Sequence, residues 1–344
     1  MKAIQLIKYG SSFNAFKTSE IPTPLLSEKE EVLIKVNAFG LNFADVMARK
    51  GLYRAAPDLP AVLGYEIVGK VIKVNDPENE YLIGKRVLCL TRFGGYAEFV
   101  KSKKSIIKII PLSLSDGQAL ALATQYCTAF LAISSCINLN PLDTILIHSA
   151  SGGVGSAITQ LAKHKNLKVI GLTRSPHKVD YLKQNGVDLP IVTTENDYLS
   201  LLKSKSNYAN VRAVFNSVGG KTMKKDIKLL DVTGQIVFFG ISDRINQKKG
   251  FLNTLIQLLK IGKIHPAKLL LNSQTISGLN LLAIADKNPQ QLINALEELI
   301  SLFEENKISP SLGNQFLWNE LSSAHEKFEK GELTGKVFVK VDIK

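Results

Sequence analysis

The chain has 344 residues, 45% of them hydrophobic, and carries a formal net charge of +13 at pH 7. That length exceeds one ordinary domain, and the apolar content supports a core in each of two, which excludes a disordered or fibrous chain. Three cysteines, Cys89, Cys127 and Cys136, without CxxC spacing, exclude a disulfide framework and a cysteine-rich metal centre and point to a reducing, cytoplasmic setting.

The opening MKAIQLIKYG holds too short an apolar run to be a signal peptide. Strands are predicted at 32–36, 65–74, 85–90 and 96–100, where β-branched runs alternate with turn residues, and a short helix at 42–50 interrupts them. The basic run KSKKSIIK at 101–108 reads as a solvated face rather than a nucleic-acid patch. From Gly117 to Leu142 no residue is charged, but Gln118, Thr124, Gln125, Tyr126, Thr128, Ser134 and Ser135 favour buried core helices over a membrane span. Beyond residue 119, short apolar strands alternate with helical segments (TILIHSA, SAITQLAKHK, KVIGLTR, PHKVDYLKQNG, PIVTT, RAVFNSV, KTMKKDIKLL, QIVFFG). That rhythm predicts an α/β unit with a parallel sheet wound on both faces by helices. After Gly240 come a basic loop, a predicted helix at 250–260, a strand-like TISGLNL, an amphipathic helix at 289–306 and a closing strand, KVFVKV. The expected domains are 1–120, 121–265 as the nucleotide-binding unit, and 266–344 as an edge strand that then returns to the first domain.

The stretch HSASGGVGSAI, 148–158, meets the three conditions for a dinucleotide loop. It follows a strand, opens a helix and heads a βα series, with the AxGxxG spacing Ala150, Gly152, Gly155. Ser151, Gly152, Gly153 and Val154 would lie against a pyrophosphate at the helix N-terminus. About 20 residues on, where an acid would meet the ribose of NAD, the chain reads Thr173-Arg174-Ser175 with Lys178 close behind and no carboxylate. Arg, Lys and hydroxyl groups suit a 2′-phosphate, so NADPH is expected over NADH. Val218 and Gly219, and Phe239, Gly240 and Ile241, follow later strands at the ends where such sheets bind ligands.

GLNFADVMARKGLY (40–53), LPAVLGYEIVGKV (59–71), the loop ASGGVG, NSVGG (216–220) and TGKVFVKV (334–341) together resemble the zinc-free quinone oxidoreductase branch of the medium-chain dehydrogenase/reductase superfamily. PAKLLLNSQTISGLNLLAIAD (266–286) is most similar to the VAT-1 type. The resemblance implies a GroES-like β-rich catalytic domain, completed by the C-terminal segment, with a Rossmann domain between its parts, a cleft between the two domains and a homodimer. Zinc members place a Cys and a GHE triplet where this chain has Asn42 and Gly64-Tyr65-Glu66, so no metal is expected. By the same resemblance Asn42, Asp45, Tyr53, Tyr65 and Thr128 would line the reaction site, a tyrosine hydroxyl meeting a quinone carbonyl as charge builds on it. Core packing of the tyrosines and helix capping by Asn42 remain open beside those roles. The chain departs from the family at Asn216, where Asp is common, and near Thr193, where a Tyr often helps to hold the 2′-phosphate. His148 is expected to be structural.

The reaction expected is hydride transfer from NADPH to a small quinone or enone. Two alternatives stand beside it: an enoyl-thioester reductase, and a non-catalytic NADPH-binding protein in peripheral contact with a membrane through the basic, apolar-interleaved segment Arg244 to Lys268.

Overall fold

A computed structural model of the chain describes residues 1–208, 210–242 and 266–342. They form two units: Met1–Gln125 with Ala285–Leu296 and Pro310–Lys344, and Tyr126–Ile284 with Glu297–Ser309. The helix expected at 250–260, and most of the basic segment with Lys248, Lys249 and Lys260, lie outside the described residues.

The first unit is built on β1 (Lys2–Leu6), β2 (Phe16–Glu20), β3 (Glu31–Leu41), β4 (Ala61–Val62), β5 (Glu66–Val74), β6 (Arg86–Leu90), β7 (Phe99–Lys103) and β8 (Ile107–Ile109). Helix α1 (Ser12–Ala15) precedes β2, and α2 (Phe43–Arg49) follows β3 directly. The strand expected at 96–100 begins three residues later. Tyr96 and Ala97 instead serve β1, the Tyr96 carbonyl accepting from Ile4 N–H at 2.9 Å and Ala97 bridging Ala3. Long alternating β3 pairs with both β5 and β7, and its apolar face fills a core with Phe39, Leu63, Ile67 and Tyr96. The uncharged stretch folds into α3 (Asp116–Ala121), a π-helical turn at 122–126 and, in the second unit, α4 (Cys127–Ser134), nearly all buried. Among the described residues no helix is long and apolar enough to cross a membrane.

The second unit alternates as the sequence pattern requires. Its strands are β9 (Thr144–Ile147), β10 (Lys168–Thr173), β11 (Leu189–Val192), β12 (Val211–Asn216), β13 (Leu230–Phe238) and β14 (Thr275–Gly278). The helices between them are α5 (Gly153–His164), α6 (Val179–Gln184), α7 (Tyr198–Lys203) and α8 (Gly220–Leu229), with α9 (Pro266–Asn272) before β14. All strands are parallel, in the order β11-β10-β9-β12-β13-β14. Counted within the unit this is 3-2-1-4-5-6, and the order reverses between β9 and β12, so their carboxyl ends form the switch point at which such sheets bind ligands. Burial on both faces explains the near-continuous apolar runs in β9 and β12.

After β14 come α10 (Leu281–Lys287), α11 (Pro289–Glu304), β15 (Leu312–Leu317), α12 (Leu321–Lys330) and β16 (Lys336–Lys340). β16 pairs antiparallel with β3, and β15 pairs with β16, so the C-terminal strands extend the sheet begun by the N-terminal ones. An α/β chain with a GroES-like β-rich unit and a Rossmann unit, the class the sequence implied, is the class found.

Candidate functional site

The nucleotide end of the second unit is assembled from four strand ends. β9 stops at Ile147, and the next residues are pinned to its neighbours: His148 N–H donates to Phe215 O of β12 at 2.9 Å and Ala150 N–H to Leu172 O of β10 at 3.0 Å. Gly152 caps α5, whose first turn contains no acidic side chain. The free N–H groups of that turn therefore face a ligand position without a competing carboxylate. A Cβ on Gly155 would lie 2.6 Å from Ala150 Cα, so only glycine lets the helix seat so close to the loop. A Cβ on Gly152 would meet Ser149 O alone, at 3.3 Å, leaving open space otherwise. The cradle fits a dinucleotide pyrophosphate.

At the end of β10, the Thr173 hydroxyl accepts from Ser175 N–H at 3.2 Å. Thr193 and Thr194 brace the turn, donating to the carbonyls of Thr173 at 3.2 Å and Arg174 at 2.9 Å. Arg174 is exposed, and no described carboxylate pairs with it. Lys178 is buried, which differs from a solvated loop cation. Thr193, standing where the family often has Tyr, is thus a brace for the turn.

The ends of β12 and β13 carry a group of residues whose roles sequence reading missed. The Asn216 amide oxygen accepts from Val218 and Gly219 N–H, both at 2.8 Å, and its NH2 donates to Thr222 Oγ1 and Asp226 Oδ2, both at 2.6 Å. Asp226 also accepts from the Tyr198 hydroxyl at 2.8 Å and lies 3.0 Å from His148 Nε2. Phe239 N–H donates to Asn216 O at 3.1 Å, and Gly240 packs on the Ser217 backbone, where a Cβ would fall 2.9 Å from Ser217 O. Ile241 is exposed. Ser151 to Val154, Thr173 to Lys178, Val218, Gly219 and Phe239 to Ile241 thus all follow carboxyl ends of adjacent strands.

In the first unit the predicted residues gather around two buried carboxylates. Glu66, fully buried, accepts from the Asn42 amide with both oxygens at 2.8 Å, from the Thr124 hydroxyl and from the Lys336 ammonium. Gly40 of β3 makes room for that ion pair, since a side chain there would run into both partners. Asn42 stands at the N-cap position of α2, its backbone N–H bonded to Asp45, while its NH2 is spent on Glu66. Asp45 accepts from Asn42 N–H at 2.9 Å and Gly64 N–H at 3.3 Å. Complete burial without a direct cationic partner raises its pKa to about 7.

Tyr65 follows Gly64. Its hydroxyl is buried beside that of Tyr53, and burial holds its ionisation far above the ordinary phenol range. Tyr53 lies edge-on to it at 6.3 Å between centroids, and Phe93 lies tilted at 5.1 Å. Phe93 has φ of +104°, a conformation costly for an aromatic residue. Two loops laced together hold it there: Thr91 N–H donates to Tyr65 O at 2.8 Å, Gly94 N–H to Val62 O at 2.9 Å and Tyr96 N–H to Leu63 O at 2.9 Å. No sequence signal singled out Phe93. Thr128 belongs to the second unit, buried on α4.

Residues 28–113 match the alcohol dehydrogenase GroES-like domain family, and residues 153–300 match the zinc-binding dehydrogenase family. The human synaptic vesicle membrane protein VAT-1 homolog is 30% identical over 98% of this chain and 86% of its own length. Its Danio rerio counterpart is 28% identical over 90% of this chain, which spans 64% of that relative. The Escherichia coli quinone oxidoreductase, solved in complex with NADPH, superposes with a TM-score of 0.85 at 25% identity, covering 99% of this chain and 100% of that one. The zinc in one family's description does not fit the residues here. Asn42 is committed to Glu66, Tyr65 is a phenol kept protonated by burial, and the Cys89 thiol bonds to Ser102 at 3.1 Å with its pKa pushed up to about 12 by burial. Among the described residues no three His, Cys, Asp or Glu side chains converge as metal ligands. With its GroES-like and Rossmann units and these relatives, the chain belongs to the quinone oxidoreductase branch of the medium-chain dehydrogenase/reductase superfamily, on its VAT-1-like side.

Proposed function

We propose that the chain is an NADPH-dependent, zinc-independent reductase of small electron-poor acceptors, quinones or enones. The observation that carries the reading is the glycine-built N-terminus of α5 at the sheet's switch point, beside a β10 end that offers Arg174 and no carboxylate. The N–H groups at Ser151 to Val154 hold the pyrophosphate, helped by the positive end of the α5 dipole. Arg174, Ser175 and Lys178, on a turn braced by Thr193 and Thr194, take the 2′-phosphate. When bound, NADPH supplies the hydride. Tyr65, its hydroxyl buried, donates a hydrogen bond to the acceptor oxygen as negative charge develops, with Tyr53 beside it. Asp45 and Asn42 tie the Gly64 turn to α2 and so set where Tyr65 stands.

Titration calorimetry tests the cofactor half. NADPH should bind well over tenfold tighter than NADH, and Arg174→Ala should remove most of the difference, one charged contact contributing roughly 1.5 to 3 kcal/mol. Equal affinity for the two nucleotides would sink it. A screen of NADPH oxidation against quinones, enones and enoyl thioesters tests the acceptor half. Turnover confined to enoyl thioesters would transfer the chain to that reaction class, and no turnover at all would leave a nucleotide-binding protein.

A further inference from the structure

Asp226 is fully buried on α8, and among the described residues neither lysine nor arginine pairs with it. Its neighbour Lys225 points to another acid, pairing with Asp197 at 2.5 Å. The carboxylate is held by three side chains: Asn216 at 2.6 Å, Tyr198 at 2.8 Å and His148 at 3.0 Å. A buried carboxylate without an ammonium or guanidinium partner is costly unless hydrogen bonds replace hydration. This one spends those bonds on residues that adjoin two loops of the nucleotide end.

The polarity of the network has one solution. An amide has an acceptor end and a donor end, and Asp226 Oδ2 takes the donor end of Asn216. The Asn216 oxygen is thereby turned to the N–H groups of Val218 and Gly219, which it holds at 2.8 Å each. Reversing the amide would set NH2 against two N–H groups. Gly219 has φ of +108°, a conformation that glycine takes without steric cost and other residues do not, and the two bonds to Asn216 select it from glycine's wide range. Thr222 closes the ring, receiving the second Asn216 hydrogen at 2.6 Å and donating to Gly219 O at 3.1 Å. On the other side His148 is the residue that leads from β9 into the glycine loop.

We propose that Asp226 is a positioning residue for nucleotide binding: through Asn216 it sets the Val218–Gly219 turn, and through His148 it locks that turn to the glycine loop. The proposal rests on the NADPH reading. The titratable groups that face Asp226 are His148 from the end of β9 and Tyr198 from α7, with the Asp197–Lys225 pair beyond, Lys225 lying 5.4 Å over the Tyr198 ring.

The test is a reciprocal exchange, read by NADPH fluorescence titration and by hydrogen exchange of the Val218 and Gly219 amides in ligand-free protein. Asn216→Asp alone sets two carboxylates in contact, which share one proton at low pH and repel each other once that proton is lost as pH rises. Its NADPH Kd should rise about tenfold or more at pH 8 and recover toward pH 6, and the two amides should exchange faster at pH 8. Adding Asp226→Asn restores one donor and one acceptor: Asp at 216 accepts from the turn, from the new amide and from the Thr222 hydroxyl, which turns to it from Gly219 O, and the new amide's oxygen accepts from Tyr198 and His148. The double variant should return to within about threefold of wild type and lose the pH dependence. The proposal is overturned by wild-type affinity in Asn216→Asp at pH 8, by a double variant no better than the single, or by one that regains its melting temperature but not its affinity. A wild type that binds no NADPH overturns the cofactor reading instead, while unchanged amide exchange in Asn216→Asp overturns this one.

Discussion

Glu66 in the first unit and Asp226 in the second are both carboxylates without solvent exposure, and they are compensated differently. Glu66 faces an ammonium, Lys336, carried to it by β16 from 270 residues away, with an amide and a hydroxyl taking up its remaining lone pairs. Asp226 faces an amide, a phenol and an imidazole, all within 78 residues. An ion pair with a lysine is strong but indifferent to which oxygen is used, whereas a set of directional hydrogen-bond donors fixes orientation. The first arrangement closes a sheet with the C-terminal strand. The second holds a turn. Asp45 lies between the two, buried with backbone donors and no cation of its own.

The largest expected effect comes from breaking the ion pair on one side. Lys336→Met leaves Glu66 buried and uncompensated, and should cost about 3–5 kcal/mol in urea unfolding. The double variant Glu66→Gln with Lys336→Met should recover a large part of that loss, because both charges leave together. A single variant within about 1 kcal/mol of wild type would mean that water reaches Glu66, and the contrast with Asp226 would collapse.

Next in size is a pH effect at Asp45. Its pKa in the folded chain is about 7 against an ordinary 3.8, so the folded state holds its proton the more tightly. The resulting stability is fully present below pH 3.8 and is lost as pH rises through about 7, a span on the order of 4 kcal/mol in all. Asp45→Asn should flatten the stability profile between pH 4 and pH 7 in denaturant titrations, from a lower baseline, since one of the two backbone N–H groups loses its acceptor. An unchanged slope would show that Asp45 is ionised across that range.

The contrast also explains what the sequence revealed. The βα alternation and the AxGxxG loop were legible because periodicity and glycine spacing are local, and the parallel sheet follows from them. The strand end bearing Arg174 was legible by counting from that loop. Lys336 could not be matched to Glu66 from sequence, because the partners meet only once β16 docks on β3. Asp226 sits within KTMKKDIK, a run that reads as a solvated face, yet it is the one acid there and points inward. The run has the 3.6-residue period that should have marked it, with Met223 and Asp226 three apart and both buried. Phe93 was invisible because its positive φ comes from the facing Gly64 loop and not from its own neighbours in sequence.

A smaller effect is expected at Tyr65. Its hydroxyl is buried with no backbone or charged partner among the described residues, so Tyr65→Phe should change stability by no more than about 1 kcal/mol. If the hydroxyl meets the acceptor, turnover should fall while NADPH affinity holds. A variant both less stable and fully active would mean that the hydroxyl is bonded within the core and has no part in the reaction.

The smallest expected change is at Lys225, and it bears most directly on the claim that Asp226 is held without a cation. Lys225 makes a 2.5 Å ion pair with Asp197 and lies over the Tyr198 ring, contacts that would weigh heavily if counted as contacts alone. Both partners are nearly half exposed, however, and a solvated pair offsets most of its attraction by ordering two side chains in high dielectric. The low Asp197 pKa, about 2, reflects hydrogen bonds from Lys225 and Ser200, and the Ser200 bond also caps α7. Lys225→Met should therefore shift stability by less than about 0.5 kcal/mol, whereas Asp197→Ala, which removes the cap, should cost about 1 kcal/mol. NADPH affinity should not change in Lys225→Met. A loss above about 1 kcal/mol, or a weakened affinity, would mean that the Lys225 charge reaches Asp226 past the Tyr198 ring, and Asp226 would then belong with Glu66 as the anion of an ion pair.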